Sequence, residues 1–262
     1  MKNTLTALIF SVCILTLIVG KVHWNQKIEA TATTSEEEQI NTNENTEQPK
    51  TDKTAELTRD LPDSLANLIV NAKAENQSLE LLAFGSKATA DGSGTWTSLL
   101  QKKLDAAYGN GFFNLQVENF GDDISINVVQ QETYLPLIEQ QPDIVLFEPF
   151  ILNDNGKVAI ENTLESVDII TNRFQESSDD IVIILQPPNP IHNAVHYPAQ
   201  VQALKTFAED NNLIYLDHWN DWPDYTTDEI LAYVDDDNLP TAKGHQVWAN
   251  YIASFFTSEM EP

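Results

Sequence analysis

Five short apolar runs, each closing on a polar turn and most leading into a segment of helical periodicity, constrain this 262-residue chain more than any other feature. The runs cover residues 79–84, part of 112–120, 143–150, 181–185 and 213–216. The third reads Asp-Ile-Val-Leu-Phe-Glu-Pro-Phe and is nearly all apolar at its centre, as strands buried on both faces are. Between the runs, apolar residues return at helical spacing: Trp96, Leu99, Leu100, Leu104 and Ala107, then Ile124, Val128 and Val129, then Leu164, Val167, Ile170 and Phe174. A last helix carries Val247, Trp248, Tyr251, Ile252, Phe255 and Phe256 on its apolar face. This alternation predicts an α/β fold, a three-layer α/β/α sandwich around a central parallel five-stranded sheet. No internal repeat is present.

The amino-terminal part reads differently. Lys2 precedes an uncharged apolar run over 5–19, the pattern of a secretory h-region or a short membrane anchor. No Ala-x-Ala site follows directly, and the lone Cys13 has no small residue just before it. We therefore expect residues 1–24 to be an uncleaved signal anchor that places the chain outside the cytoplasm, with a cleaved signal peptide and secretion as the alternative. Residues 25–60 are rich in Thr, Glu, Asn and Gln and nearly free of large apolar residues. Such a segment buries too little surface to offset its ordering entropy, so a disordered acidic linker is expected. The folded domain is then 61–262.

Composition narrows the partners. There are 40 acidic and 14 basic residues, for a formal net charge of -26. Phosphate-rich nucleic acid is excluded as a natural partner, and so is an anionic membrane surface. Contact with a membrane is expected through the amino-terminal segment only. One cysteine permits neither an intrachain disulfide nor a cysteine-based metal site. His192 and His196 are four residues apart, but prolines on both sides argue against the helix that would pair them on a metal. No metal or other cofactor is called for.

The polar turns are where chemistry would sit, because ligands of open α/β sheets bind beyond the carboxyl ends of the strands. The first is Gly85-Ser86-Lys87-Ala88-Thr89. The second holds Gly121-Asp122-Asp123, the third Asn153-Asp154-Asn155-Gly156, and the fourth Pro187-Pro188. The acidic loop Asp235-Asp236-Asp237-Asn238-Leu239-Pro240 leads to Gly244-His245 at the start of the last helix. Each also suits an ordinary turn, since Gly, Asn, Asp and Ser are what turns use.

The order of these turns resembles the SGNH/GDSL hydrolase family of esterases, lipases and carbohydrate deacylases, over residue 79 to the carboxyl terminus. The resemblance implies a flavodoxin-like sheet and four site blocks. Gly121 and Asn153 stand where that family places oxyanion donors, and Asp236 where it places the residue that orients the base. Register with Gly-Asp-Ser puts Ser86 at the Asp position and Lys87 at the nucleophile. Leu239 stands where the base histidine belongs. A serine needs a nearby base to become a nucleophile. The resemblance thus leaves Ser86 as a nucleophile displaced by one residue and His245 as a substitute base, with His218 behind it. Lys87 and Asp154 are candidates for substrate contact.

Two functions follow from the resemblance. One is an ester hydrolase or deacylase acting on cell-envelope or polysaccharide acyl groups, with an acylated carbohydrate or small ester as substrate. The other is an inactive module of the same fold that binds a glycan or a partner protein.

Overall fold

The computed structural model describes residues 53–259. The expected anchor, and the linker as far as residue 52, lie outside the described residues. Among the described residues no helix is long and apolar enough to cross a membrane. Lys53–Leu57 forms helix α1, inside the stretch read as linker. Leu57 packs on the core, and buried Thr58 donates its hydroxyl to the Thr54 carbonyl at 2.9 Å. Residues 53–60 thus carry described structure inside the stretch expected as linker. One leucine in a polar tract is too weak a signal to mark that helix.

The elements then alternate. α2 (Asp63–Glu75) ends at Asn76, whose left-handed backbone (φ 55°) turns its N–H back onto the Ala72 and Lys73 carbonyls. β1 (Leu79–Gly85) leads to α3 (Trp96–Tyr108), where the Thr95 side chain accepts from the Ser98 N–H. A cap of that kind is worth about 1 kcal/mol. β2 (Phe113–Asn119), α4 (Ser125–Gln130) and α5 (Leu135–Ile138) follow, then β3 (Ile144–Glu148) and the single turn α6 (Ile151–Asp154). α7 (Ile160–Ser177), β4 (Val182–Leu185), α8 (Tyr197–Asp210) and β5 (Ile214–Tyr215) continue the pattern. Two 3-10 turns, His218–Asp221 and Asp228–Ala232, precede α9 (Ala242–Phe256).

All five strands are parallel, in the order β2-β1-β3-β4-β5. This is the doubly wound order, whose switch point lies between β1 and β3. Alternate side chains feed two cores. Leu81, Ala83, Ile144, Leu146 and Ile184 face one core together with residues of α2, α3 and α9. Leu82, Phe84, Val145, Phe147, Ile183 and Leu185 face the other, with residues of α4, α7 and α8. Phe84 stacks on Phe147 at 4.3 Å across the central strands, and Trp96 of α3 stacks on Trp248 of α9 at 5.0 Å. The sheet and its packing place the turns after β1, β2 and β3 side by side at the carboxyl edge.

Candidate functional site

The turn after β1 is built around a residue on its neighbour. Glu148, the last residue of β3, is fully buried and accepts three hydrogen bonds on Oε2. They come from the Ser86 N–H (2.9 Å), the Ser86 hydroxyl (2.8 Å) and the Thr89 hydroxyl (3.0 Å). The Ala88 N–H in turn donates to Ser86 Oγ at 3.2 Å. Burial pushes the Glu148 carboxyl up to about 8, against the opposing pull of those hydrogen bonds. Gly85 makes the arrangement feasible. A Cβ there would lie 2.3 Å from the Glu148 carbonyl oxygen and 2.7 Å from its Oε2. Ser86 is therefore not presented to the crevice as the sequence expectation required: it is fully buried, and its hydroxyl points at a carboxyl rather than at a histidine.

The expected oxyanion donors are also committed. The Gly121 N–H donates to Asn119 Oδ1 at 2.7 Å. Asn153 spends its amide nitrogen on two backbone oxygens, Gly121 O at 2.9 Å and Asp123 O at 2.8 Å. The Lys87 N–H donates to that same Gly121 oxygen at 3.0 Å. Gly121 holds a left-handed backbone (φ 60°), which suits a residue without Cβ. The three elements assemble where the resemblance put them, but their donors staple the loop after β2 instead of pointing at a ligand.

The remaining candidates are held similarly. His245 Nδ1 accepts from the Trp96 N–H at 3.1 Å, so the ring caps the first turn of α3. Burial lowers its pKa, partly offset by Asp235. Asp236 is exposed, and among the described residues no hydrogen bond or ion pair joins it to His245. Its neighbour Asp235 shapes the loop by accepting from the Asp237 and Leu239 N–H groups, each at 2.9 Å. Asp154 is buried and accepts from the Ser125 N–H (2.9 Å) and the Thr163 hydroxyl (2.6 Å), which makes it the cap of α4 and a tie to α7. His218 is also fully buried: Nε2 meets Pro187 O at 2.8 Å, Nδ1 accepts from the Trp222 indole at 2.9 Å, and the ring stacks on Trp248 at 4.4 Å. Desolvation drives its pKa down to about 3.

Lys87 is half-buried and, like the exposed Asp236, reaches toward solvent. Its ammonium pairs with Asp122 at 2.9 Å, and its pKa is raised by that hydrogen bond first, with Asp237 and Asp235 adding to it. The acidic loop before α9 therefore does approach the nucleophile position, as the fold requires, but brings carboxylates and the apolar Leu239 in place of a base. Asp122 is 80% exposed, so the pair is screened and holds little of the fold together. His192 meets Asp228 at 3.4 Å in a non-helical loop, away from any pairing with His196. Among the described residues no group of three or more His, Cys, Asp or Glu side chains is placed to hold a metal ion.

Glu148 is the residue that sequence reasoning missed. It lies inside an apolar run, where it reads as part of the strand. An acidic residue at the end of a doubly buried strand, opposite a glycine on the adjacent strand, is the signal that would have found it. A buried carboxyl must find donors or stay protonated.

No protein-family model matches this chain, and no curated protein matches it by sequence. Solved structures do. A carbohydrate esterase family 3 protein from Talaromyces cellulolyticus superposes with a TM-score of 0.57 at 16% identity, over 70% of this chain and 100% of that one. A catalytic mutant of Axe2, an acetylxylan esterase from Geobacillus stearothermophilus, gives 0.55 at 15% identity, over 68% and 94%. A candidate GDSL-like lipase from Parabacteroides merdae ATCC 43184 gives 0.59 at 12% identity, over 70% and 97%. The chain thus has the α/β/α fold of the SGNH/GDSL lipases and esterases, with the expected five-stranded parallel sheet. Identities this low establish the fold and leave the chemistry to the site itself.

Proposed function

We propose that this is an extracytoplasmic, membrane-anchored protein of SGNH fold that binds acylated carbohydrate at the carboxyl edge of its sheet without serine–histidine hydrolysis. The observation that carries this reading is the internal use of the expected hydroxyl, amide and imidazole groups. Ser86 Oγ is bound to Glu148, Asn153 Nδ2 to two carbonyls, and His245 Nδ1 to a helix terminus. Carbohydrate is favoured as the ligand because solved structures of this fold include acetylxylan esterases. Extracytoplasmic placement rests on the apolar run over 5–19 and the acidic tract behind it.

The test uses the fragment Lys50–Pro262, which forms one compact unit. Acetylated and deacetylated xylan are offered in a retention assay, and acetate release is followed in parallel. Selective retention of the acetylated polymer with no acetate released supports the proposal. Acetate release that Ser86→Ala abolishes would refute it in favour of an ester hydrolase. That second reading has one observation behind it, the 2.8 Å hydrogen bond from the Ser86 hydroxyl to a carboxyl of raised pKa. It requires the turn to open, and it predicts activity that rises toward alkaline pH. Localisation is tested separately, by protease accessibility of a carboxyl-terminal tag on intact cells. A tag that is protected until the membrane is broken would exclude an exterior domain.

A further inference from the structure

Glu148 stands at the switch point, where β1 and β3 part. Every hydrogen bond of its side chain goes to one oxygen, and all the donors belong to the turn that carries Lys87. Its other oxygen, Oε1, is buried without a partner. On the next strand the Gln186 side chain takes the Trp248 indole N–H on its Oε1 at 2.8 Å but leaves its Nε2 buried and unpartnered. The two residues are neighbours in register, since the Gln186 N–H donates to the Phe147 carbonyl at 3.0 Å. The titratable group that faces Glu148 from α8 is Tyr197, itself fully buried and kept neutral by a pKa raised well above 10. Among the described residues no lysine, arginine or histidine forms an ion pair with Glu148.

Such a carboxyl wants different surroundings in its two states. Neutral, it tolerates a dry pocket. Ionised, it holds its three donors more strongly, yet Oε1 would carry charge without a hydrogen bond in the closed turn, a cost that entering water relieves. Burial outweighs the hydrogen bonds, which is why the group lies near 8 rather than at its ordinary 4.5. The closed turn therefore favours the acid and an open, hydrated turn favours the carboxylate. With the strands this close at Gly85, the pocket takes in water only if the turn moves.

We propose that Glu148 is a proton-operated latch on the turn 86–89, shut while the carboxyl is protonated and released as it ionises, which uncovers the Ser86 and Thr89 hydroxyls and frees Lys87 from its place beside Asp122. The latch stands whether or not the crevice binds a glycan. Between the ordinary carboxyl range and about pH 8, linkage makes the open population grow about tenfold per pH unit, and above that it levels off.

Hydrogen exchange on the full chain in detergent micelles reads this directly. The opening constant of the peptide spanning 86–89, corrected for intrinsic exchange, is measured from pH 5.5 to 9 in wild type and Glu148→Gln. The expected result is a steep rise to a plateau in wild type and a flat profile in the variant. A flat wild-type profile, or the same rise in both proteins, overturns the latch. Should Glu148→Gln fail to fold, Thr89→Val decides. Losing one donor to the carboxylate must move the plateau to higher pH, and an unmoved plateau refutes the coupling.

Discussion

Replacing His218 by phenylalanine should change how stability responds to pH as well as how large it is. His218 is neutral in the folded protein because burial lowers its pKa from 6.5 to about 3. A depressed histidine contributes stability that is present above 6.5 and is lost as pH falls toward 3, because the unfolded chain takes up the proton first. The slope is about 1.4 kcal/mol per pH unit and the full span is worth about 5 kcal/mol at most. Glu148 works in the opposite sense. Its pKa is raised from 4.5 to about 8, so its contribution is full below 4.5 and is lost as pH rises through 8. Between pH 6.5 and 4.5 the two slopes nearly cancel in wild type. His218→Phe strands the Trp222 indole N–H and the Pro187 carbonyl, so at pH 7.5 it should cost about 2–4 kcal/mol. On acidification to pH 4.5 that deficit should shrink by about 3 kcal/mol. Urea denaturation of both proteins across this range measures it, and every other titrating group drops out of the difference. Parallel curves for wild type and variant would refute the assignment of a neutral, buried His218.

Three further outcomes follow from the same geometry. Gly85→Ala forces a Cβ against the Glu148 backbone and should lower stability by about 3 kcal/mol or more, since neither strand can retreat; a melting temperature within a degree of wild type would contradict that packing. Asp154→Ala leaves the Ser125 N–H and the Thr163 hydroxyl buried and unpaired, and a loss of about 2–4 kcal/mol is expected in denaturant titration. The double change Lys87→Ser and Leu239→His restores the family residues at both positions, yet it should hydrolyse p-nitrophenyl acetate no faster than buffer, because the Asn153 and Gly121 donors stay engaged. Turnover in that protein would show that the donors can be freed.

The sequence by itself determined the architecture. Short, near-continuous apolar runs and helical stripes are local patterns that one kind of layering can bury, and the strand and helix positions they imply match the observed ones to within a few residues. The resemblance also set the expectation that Lys87 and Leu239 stand at the usual nucleophile and base positions. The family resemblance grouped Gly121, Asn153, Lys87 and the 235–239 loop at the carboxyl edge of the sheet. What only the tertiary structure decided is where the donors point. Asn153 could as well have served an oxyanion as two carbonyls, and His245 a hydroxyl as a helix terminus, because the sequence carries residue types but not side-chain directions. Glu148 and Ser86 are 62 positions apart and meet only because β1 and β3 are adjacent in the sheet. Their pairing, and the raised pKa it carries, comes from burial that no local pattern records. The packing of α1 is decided the same way, by one leucine that gains its partners only when the chain is folded.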